Sequence, residues 1–181
     1  MEFDLSSFKV LIKKIFPPNK CVYTVDTSED GNTDSILIRA VNVVIPIEIP
    51  EELDIEDMIG GEMDSENLDF SSFLTLYLDE EQINLPKNLK SEKSLIEHFS
   101  LYHKDQKLSF NDLVEGKFGG RTIGLGDKID IVLKVGEKTL NKLTEGKHTL
   151  TLESSSFPSL DVHFNLSEDN FNRIYSDGEL Q

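Results

Sequence analysis

The last third of the chain alternates with a period of two. DKIDIVLKV at 127–135 puts Ile129, Ile131, Leu133 and Val135 on one side. KHTLTLE at 147–153 does the same with His148, Leu150 and Leu152. SLDVHFNL at 159–166 does so with Leu160, Val162, Phe164 and Leu166, leaving Asp161, His163 and Asn165 outward. Apolar residues at every second position put one buried face on a strand, a spacing no helix satisfies. Gly or Ser/Pro clusters separate these runs. Short strands at such spacing, parted by turn formers, predict a mainly β chain built as an antiparallel β-sandwich.

The same reading extends toward the N-terminus. CVYTVDT (21–27) and FLTLYL (73–78) alternate, and TSEDGNTD (27–34) is turn chemistry. In SILIRAVNVVIPIEIP (35–50) the apolar phase changes between Ala40 and Val41. That predicts a bulge, or two strands meeting at a bend. Pro46 and Pro50 make its later half an edge strand or an exit from the sheet. Two or three short helices complete the expected fold. Residues 5–16 place Leu5, Phe8, Leu11, Ile12, Ile15 and Phe16 at helical spacing, stopped by Pro17-Pro18, although a strand competes there. Residues 93–103 read as a helix, and 109–118 as a helix or a loop.

Leu143-Thr-Glu-Gly146-Lys-His148 resembles the Leu-x-x-Gly-x-aromatic corner that enters a strand in many immunoglobulin-like and fibronectin-type-III-like sandwiches. His148 stands where those folds usually carry Tyr. The resemblance implies immunoglobulin-like character in the C-terminal third, and it implies no activity, because such sandwiches host many functions.

At 181 residues the chain is long enough for one domain with its own core, read as residues 1–181 with an acidic loop or insertion at about 48–70. The single cysteine, Cys21, excludes an internal disulfide and any zinc site of several cysteines. No run approaches a membrane span, and the N-terminus lacks the layout of a signal peptide. The expectation is a soluble protein of the cytoplasm, or one held within a virion or secretion assembly.

The net charge of −16 is unevenly placed. Residues 40–86 carry thirteen acids and no base, whereas residues 87–150 carry twelve bases against nine acids. This balance opposes nucleic acid or anionic membrane as the main partner, since phosphate binding needs clustered Lys and Arg. It favours a basic protein, a cation, or plain solvation. Within EELDIEDMIGGEMDSENLDF (51–70), acids alternate with apolar residues. Partner proteins grip such a composition, the acids steering and the apolar groups giving contact area. Glu56, Asp57, Met58, Ile59, Glu62, Met63, Asp64 and Phe70 are the candidate contacts. A solvated acidic loop is the plain alternative.

Asp26, Asp30 and Asp34 alternate through a Gly-containing turn like the start of a calcium loop. Position twelve is Leu37, where a calcium loop wants Glu, and a hairpin tip explains the same residues. The Gly-rich stretch 118–128 matches no phosphate-loop motif and leads into a strand. Asp161 and His163 share a strand face without a recognisable nucleophile beside them. The leading expectation is therefore not an enzyme and needs no cofactor. It is a protein-binding module, of inhibitor, immunity or adaptor type, that holds a basic partner. A structural subunit of a viral or secretion assembly, with homo-oligomers, is the second, and a calcium-dependent β-module the third.

Overall fold

The computed structural model describes residues 5–50, 74–83, 98–104, 106–109, 112, 117–154 and 159–181. In chain order the elements are helix α1 (Leu5–Ile15) and strands β1 (Val22–Asp26), β2 (Ser35–Val41), β3 (Ile47–Glu48), β4 (Leu74–Leu78), β5 (Glu81–Gln82), β6 (Phe99–His103), β7 (Gln106–Ser109), β8 (Thr122–Ile123) and β9 (Lys128–Lys134). There follow the one-turn helix α2 (Glu137–Leu140), strands β10 (Gly146–Ser154) and β11 (Leu160–Leu166), a 3-10 turn (Glu168–Asn170), and strands β12 (Arg173–Ser176) and β13 (Glu179–Leu180).

The fold is mainly β. A seven-stranded sheet runs β13-β12-β1-β2-β9-β6-β7, a four-stranded sheet runs β11-β10-β4-β5, and β3 pairs β8 in a ribbon of its own. Every described pairing is antiparallel except β1 with β12, which is parallel. The two larger sheets pack as a sandwich. Val22, Ile36, Ile38 and Leu133 of the first meet Leu76, Leu78, Leu150, Val162, Phe164 and Leu166 of the second in one buried cluster. The inward residues of β9, β10 and β11 are those that the period of two selects. Burying each large side chain contributes about 1.5–3 kcal/mol.

The seven-stranded sheet is also covered on its other face. Tyr23, Val25, Leu37, Val132 and Tyr175 form a second buried cluster there, flanked by Tyr102 and Leu180. Tyr102 of β6 meets Tyr175 of β12 edge to face, ring centroids 5.0 Å apart, although three strands separate them in the sheet order. The sheet must curl for that contact to form. At the β12–β13 turn, Gly178 has φ +82°, and a Cβ there would lie 3.2 Å from the Lys104 carbonyl. Only glycine lets the two ends of the curl approach so closely without strain.

Local chemistry explains the joints. α1 ends where Pro17 and Pro18 supply no N–H, and Phe16 N–H closes the last turn on the Ile12 carbonyl at 2.8 Å. Asn170, buried at 2% exposure, donates to the carbonyls of Asn19 and Val22 and accepts from Ser167 N–H and Oγ. This one side chain ties the 3-10 turn to the start of β1. The helix predicted over 93–103 is corrected at 99–103, which are strand β6, paired to β9 and β7; His98 is helical, and 93–97 lie outside the described residues. Phe99 faces the inter-sheet core and Tyr102 the opposite cluster, so both faces are covered and alternation is lost. Of 109–118, only residues 109, 112, 117 and 118 are described.

Candidate functional site

Beyond Val41 the long apolar run bends away from the sheet at Asn42. Its side-chain amide donates to three carbonyls, Ile45 at 2.7 Å, Ile123 at 2.8 Å and Gly124 at 3.1 Å. Its own backbone exchanges bonds with Asp127 and Gly126. One polar side chain thus clips the 43–47 loop to the β8–β9 loop. The β3–β8 ribbon is extended by Ile49 N–H to Arg121 O, 2.8 Å, and by Gly120 N–H to Ile49 O, 3.0 Å. The opposite loop is fixed by Asp127, whose Oδ2 accepts from Gly124 N–H at 2.7 Å and faces Lys104 at 3.1 Å and His103 at 3.3 Å. The Gly124 N–H and the Lys104 ammonium hold the Asp127 carboxyl below the usual range, against a smaller opposing effect of burial.

On this pinned frame the apolar side chains point outward. Val44 is 52% exposed, Ile45 65%, Ile47 45% and Leu125 65%. Val44 and Ile45 on the 43–46 loop, Ile47 in β3 and Leu125 on the β8–β9 loop sit on segments joined by the Asn42 amide and the β3–β8 ribbon, here called the ledge, and exposed apolar groups so placed suit a contact surface. The ledge ends at Pro50, where the acidic run begins.

The candidate contacts Glu56, Asp57, Met58, Ile59, Glu62, Met63, Asp64 and Phe70 lie outside the described residues. The Asp26–Asp34 loop is the β1–β2 hairpin. Asp26 accepts from the backbone N–H of Ser28 at 3.0 Å, Glu29 at 2.8 Å and Gly31 at 2.7 Å. Asp30 accepts from Asn32 N–H, and Asp34 from Thr27 and Ser35. Each carboxylate serves its own turn, and among the described residues no three His, Cys, Asp or Glu side chains are grouped as metal ligands.

Asp161 and His163 lie exposed on the outer face of the four-stranded sheet, and each bonds a neighbouring threonine. Asp161 accepts from Thr151 Oγ1 at 2.8 Å, and His163 Nδ1 meets Thr149 Oγ1 at 3.0 Å. His148 occupies the corner that the sequence motif implies. Its Nε2 lies 2.8 Å from the Thr144 carbonyl, four residues upstream, and its Nδ1 lies 2.6 Å from Asp79 Oδ2. The bond back to an upstream carbonyl is the one that the corner tyrosine makes in immunoglobulin-like sandwiches. Here imidazole replaces phenol and also holds β4 through Asp79.

One buried polar cluster escaped the sequence reading. Arg39 Nε and Nη2 donate to Asp130 at 2.7 and 2.6 Å, and the Tyr175 hydroxyl donates to Asp130 Oδ2 at 2.9 Å. The Arg39 side chain is 13% exposed and that of Asp130 5%. The signal was present: both charges interrupt apolar runs, and the two residues are cross-strand partners in β2 and β9.

No protein-family model matches the chain, and no curated protein matches it. Among the described residues no helix is long and apolar enough to cross a membrane.

Proposed function

We propose that the protein is a non-enzymatic protein-binding module, of inhibitor, immunity or adaptor type, that docks a basic partner on the ledge of Val44, Ile45, Ile47 and Leu125. The observation that carries this reading is the exposure of those four side chains on segments tied together by the hydrogen bonds of Asn42 and Asp127. A pinned apolar surface loses little entropy when a partner covers it. The thirteen acids and absent bases of residues 40–86 supply the complementary field. Carboxylates such as Glu56, Asp57, Glu62 and Asp64 would steer a basic surface toward the ledge, with Met58, Ile59, Met63 and Phe70 adding contact area. The lone thiol, buried and without a disulfide partner, suits a reducing compartment such as the cytoplasm.

The test places a photo-crosslinking amino acid at Ile45 or Leu125, with Thr151 on the outer sheet as control, in extract of the native source. A basic protein captured from the ledge positions alone, and lost on a high-salt wash, supports the reading. It should associate more slowly when Glu56, Asp57, Glu62 and Asp64 are neutralised together. Equal labelling from all three positions, or an association rate indifferent to those four charges at low salt, sinks it.

A further inference from the structure

β11 is an outer strand of the four-stranded sheet, and at seven residues it is the longest edge strand among the described residues. The other edges of the two larger sheets are β5 and β13, of two residues each, and β7, of four. Two bonds show which groups β11 turns outward. Asn165 N–H leaves β10 and donates to the Pro18 carbonyl at 2.7 Å. In β10, the carbonyl of Thr149, the partner of His163, turns to β4 and accepts from Asp79 N–H at 2.9 Å. Bonding alternates along an antiparallel ladder, so Asp161, His163 and Asn165 direct their backbone N–H and carbonyl groups away from β10. Pro18 covers the edge at Asn165. Asp161 and His163 are exposed, and among the described residues their outward backbone groups have no partner. An open edge of this kind is a template for another strand.

We propose that β11 pairs antiparallel with β11 of a second copy of the protein, about a twofold axis at Val162. Two limits set this register. Pro18 occupies the edge at Asn165, and β11 begins at Leu160. An axis at Val162 sets Leu160 opposite Phe164 of the second copy, which is the span between those limits. The same register sets Asp161 opposite His163 of the second copy, and His163 opposite its Asp161. These are the two residues with open backbone groups, and each pair exchanges N–H and carbonyl both ways. Side chains directly opposite lie on one face, where an opposite-charge pair is favourable and like charges are not. Thr151 Oγ1 holds Asp161 Oδ1, and Thr149 Oγ1 holds His163 Nδ1, so Asp161 Oδ2 and His163 Nε2 are left to meet across the axis. Moving the axis to Asp161 would oppose two carboxylates. Moving it to His163 would oppose two imidazoles and need the Asn165 N–H that Pro18 already takes. The edge thus matches itself in one register, and this selects a second copy as its occupant. The contact is isologous and closes at two.

Sedimentation velocity of the whole chain over a range of concentrations tests this. The mass should rise from monomer to dimer and stop there. His163→Pro removes a donor that the ladder to β10 does not use, and should give a folded monomer. Asp161→Lys replaces the acceptor of His163 with a cation, and His163→Asp opposes two carboxylates, so each alone should be monomeric where the wild type is dimeric. Mixed in equal amounts these two should dimerise again, because the introduced lysine then faces the introduced aspartate and the native His163 faces the native Asp161. Circular dichroism melts check that each is folded, and if the proline variant is not, the charge series decides. A wild-type chain that stays monomeric overturns the proposal, as does growth beyond a dimer, a dimer that survives Asp161→Lys and His163→Asp, or a mixture that stays monomeric. None of these substitutions touches Val44, Ile45, Ile47 or Leu125, so partner capture at the ledge reports on the protein-binding reading independently.

Discussion

Tyr175 donates its hydroxyl to the carboxylate of Asp130 inside the curl of the seven-stranded sheet, at 2.9 Å. Arg39 grips the same carboxylate with two further bonds. Removing the phenol by Tyr175→Phe leaves the ion pair intact and should cost about 1.5–3 kcal/mol, as for a hydrogen bond to a charged group. Asp130→Ala strands Arg39 in a largely buried site and should cost about 3–5 kcal/mol. Replacing Arg39 and Asp130 together with Met and Leu should recover much of that loss. Urea unfolding of the four proteins checks the order.

At the His148 corner, His148→Ala abandons the Thr144 carbonyl and the Asp79 bond together and should cost about 1–3 kcal/mol. His148→Tyr restores the reach to Thr144 but not the bond to Asp79, and should fall between wild type and alanine. A double-mutant cycle with Asp79→Asn should return a non-zero coupling for His148 and a null one for the distant Asp161.

Stability should fall in acid and again in alkali. Lys117 and Ser109 hold the Asp112 carboxyl well below its ordinary 3.8, and Asp127 is likewise lowered. A depressed carboxylate contributes stability above its unfolded pKa and loses it as acid protonates the folded form, so the acid limb begins near pH 4. On the alkaline side, burial pushes the Cys21 thiol up from 9.0 to about 12 and raises the Tyr175 phenol above its ordinary 10.0. Groups so raised ionise first in the unfolded chain, so stability declines as pH climbs past 9. Urea midpoints measured from pH 3 to 11 would show both limbs, and Cys21→Ser should soften the alkaline one.

Excess calcium should leave the melting temperature unchanged, because Asp26, Asp30 and Asp34 already accept hydrogen bonds within their own turn. Asp26→Ala, which releases three backbone N–H groups, should lower the melting temperature with or without the ion. A calcium-dependent rise in the wild type would restore the cation reading of this hairpin.

Strands that bury one face were legible from the order of residues. β10 and β11 coincide with the runs of period two, as does the inter-sheet face of β9 although Asp130 and Val132 bury its other face, and the phase change after Ala40 marks the bend at Asn42. Two shorter strands of the doubly covered sheet were not legible in this way. β6 lost its alternation, and β12 offers only four residues whose partner β1 is remote in sequence. The ledge was half legible: Val44, Ile45 and Ile47 read as strand residues, and only the three bonds of the Asn42 amide show why they face outward.

The parallel seat of β12 beside β1 bears on the order of synthesis. Thr24 accepts the Asn172 N–H across 148 residues of chain. A ribosome releases β1 early and its neighbour β12 late, so the nascent protein carries an unpaired strand edge for most of its elongation. Such an edge recruits other chains as readily as its own. Holdase protection during translation, and sensitivity to any stop before Asn172, follow from where this single strand sits.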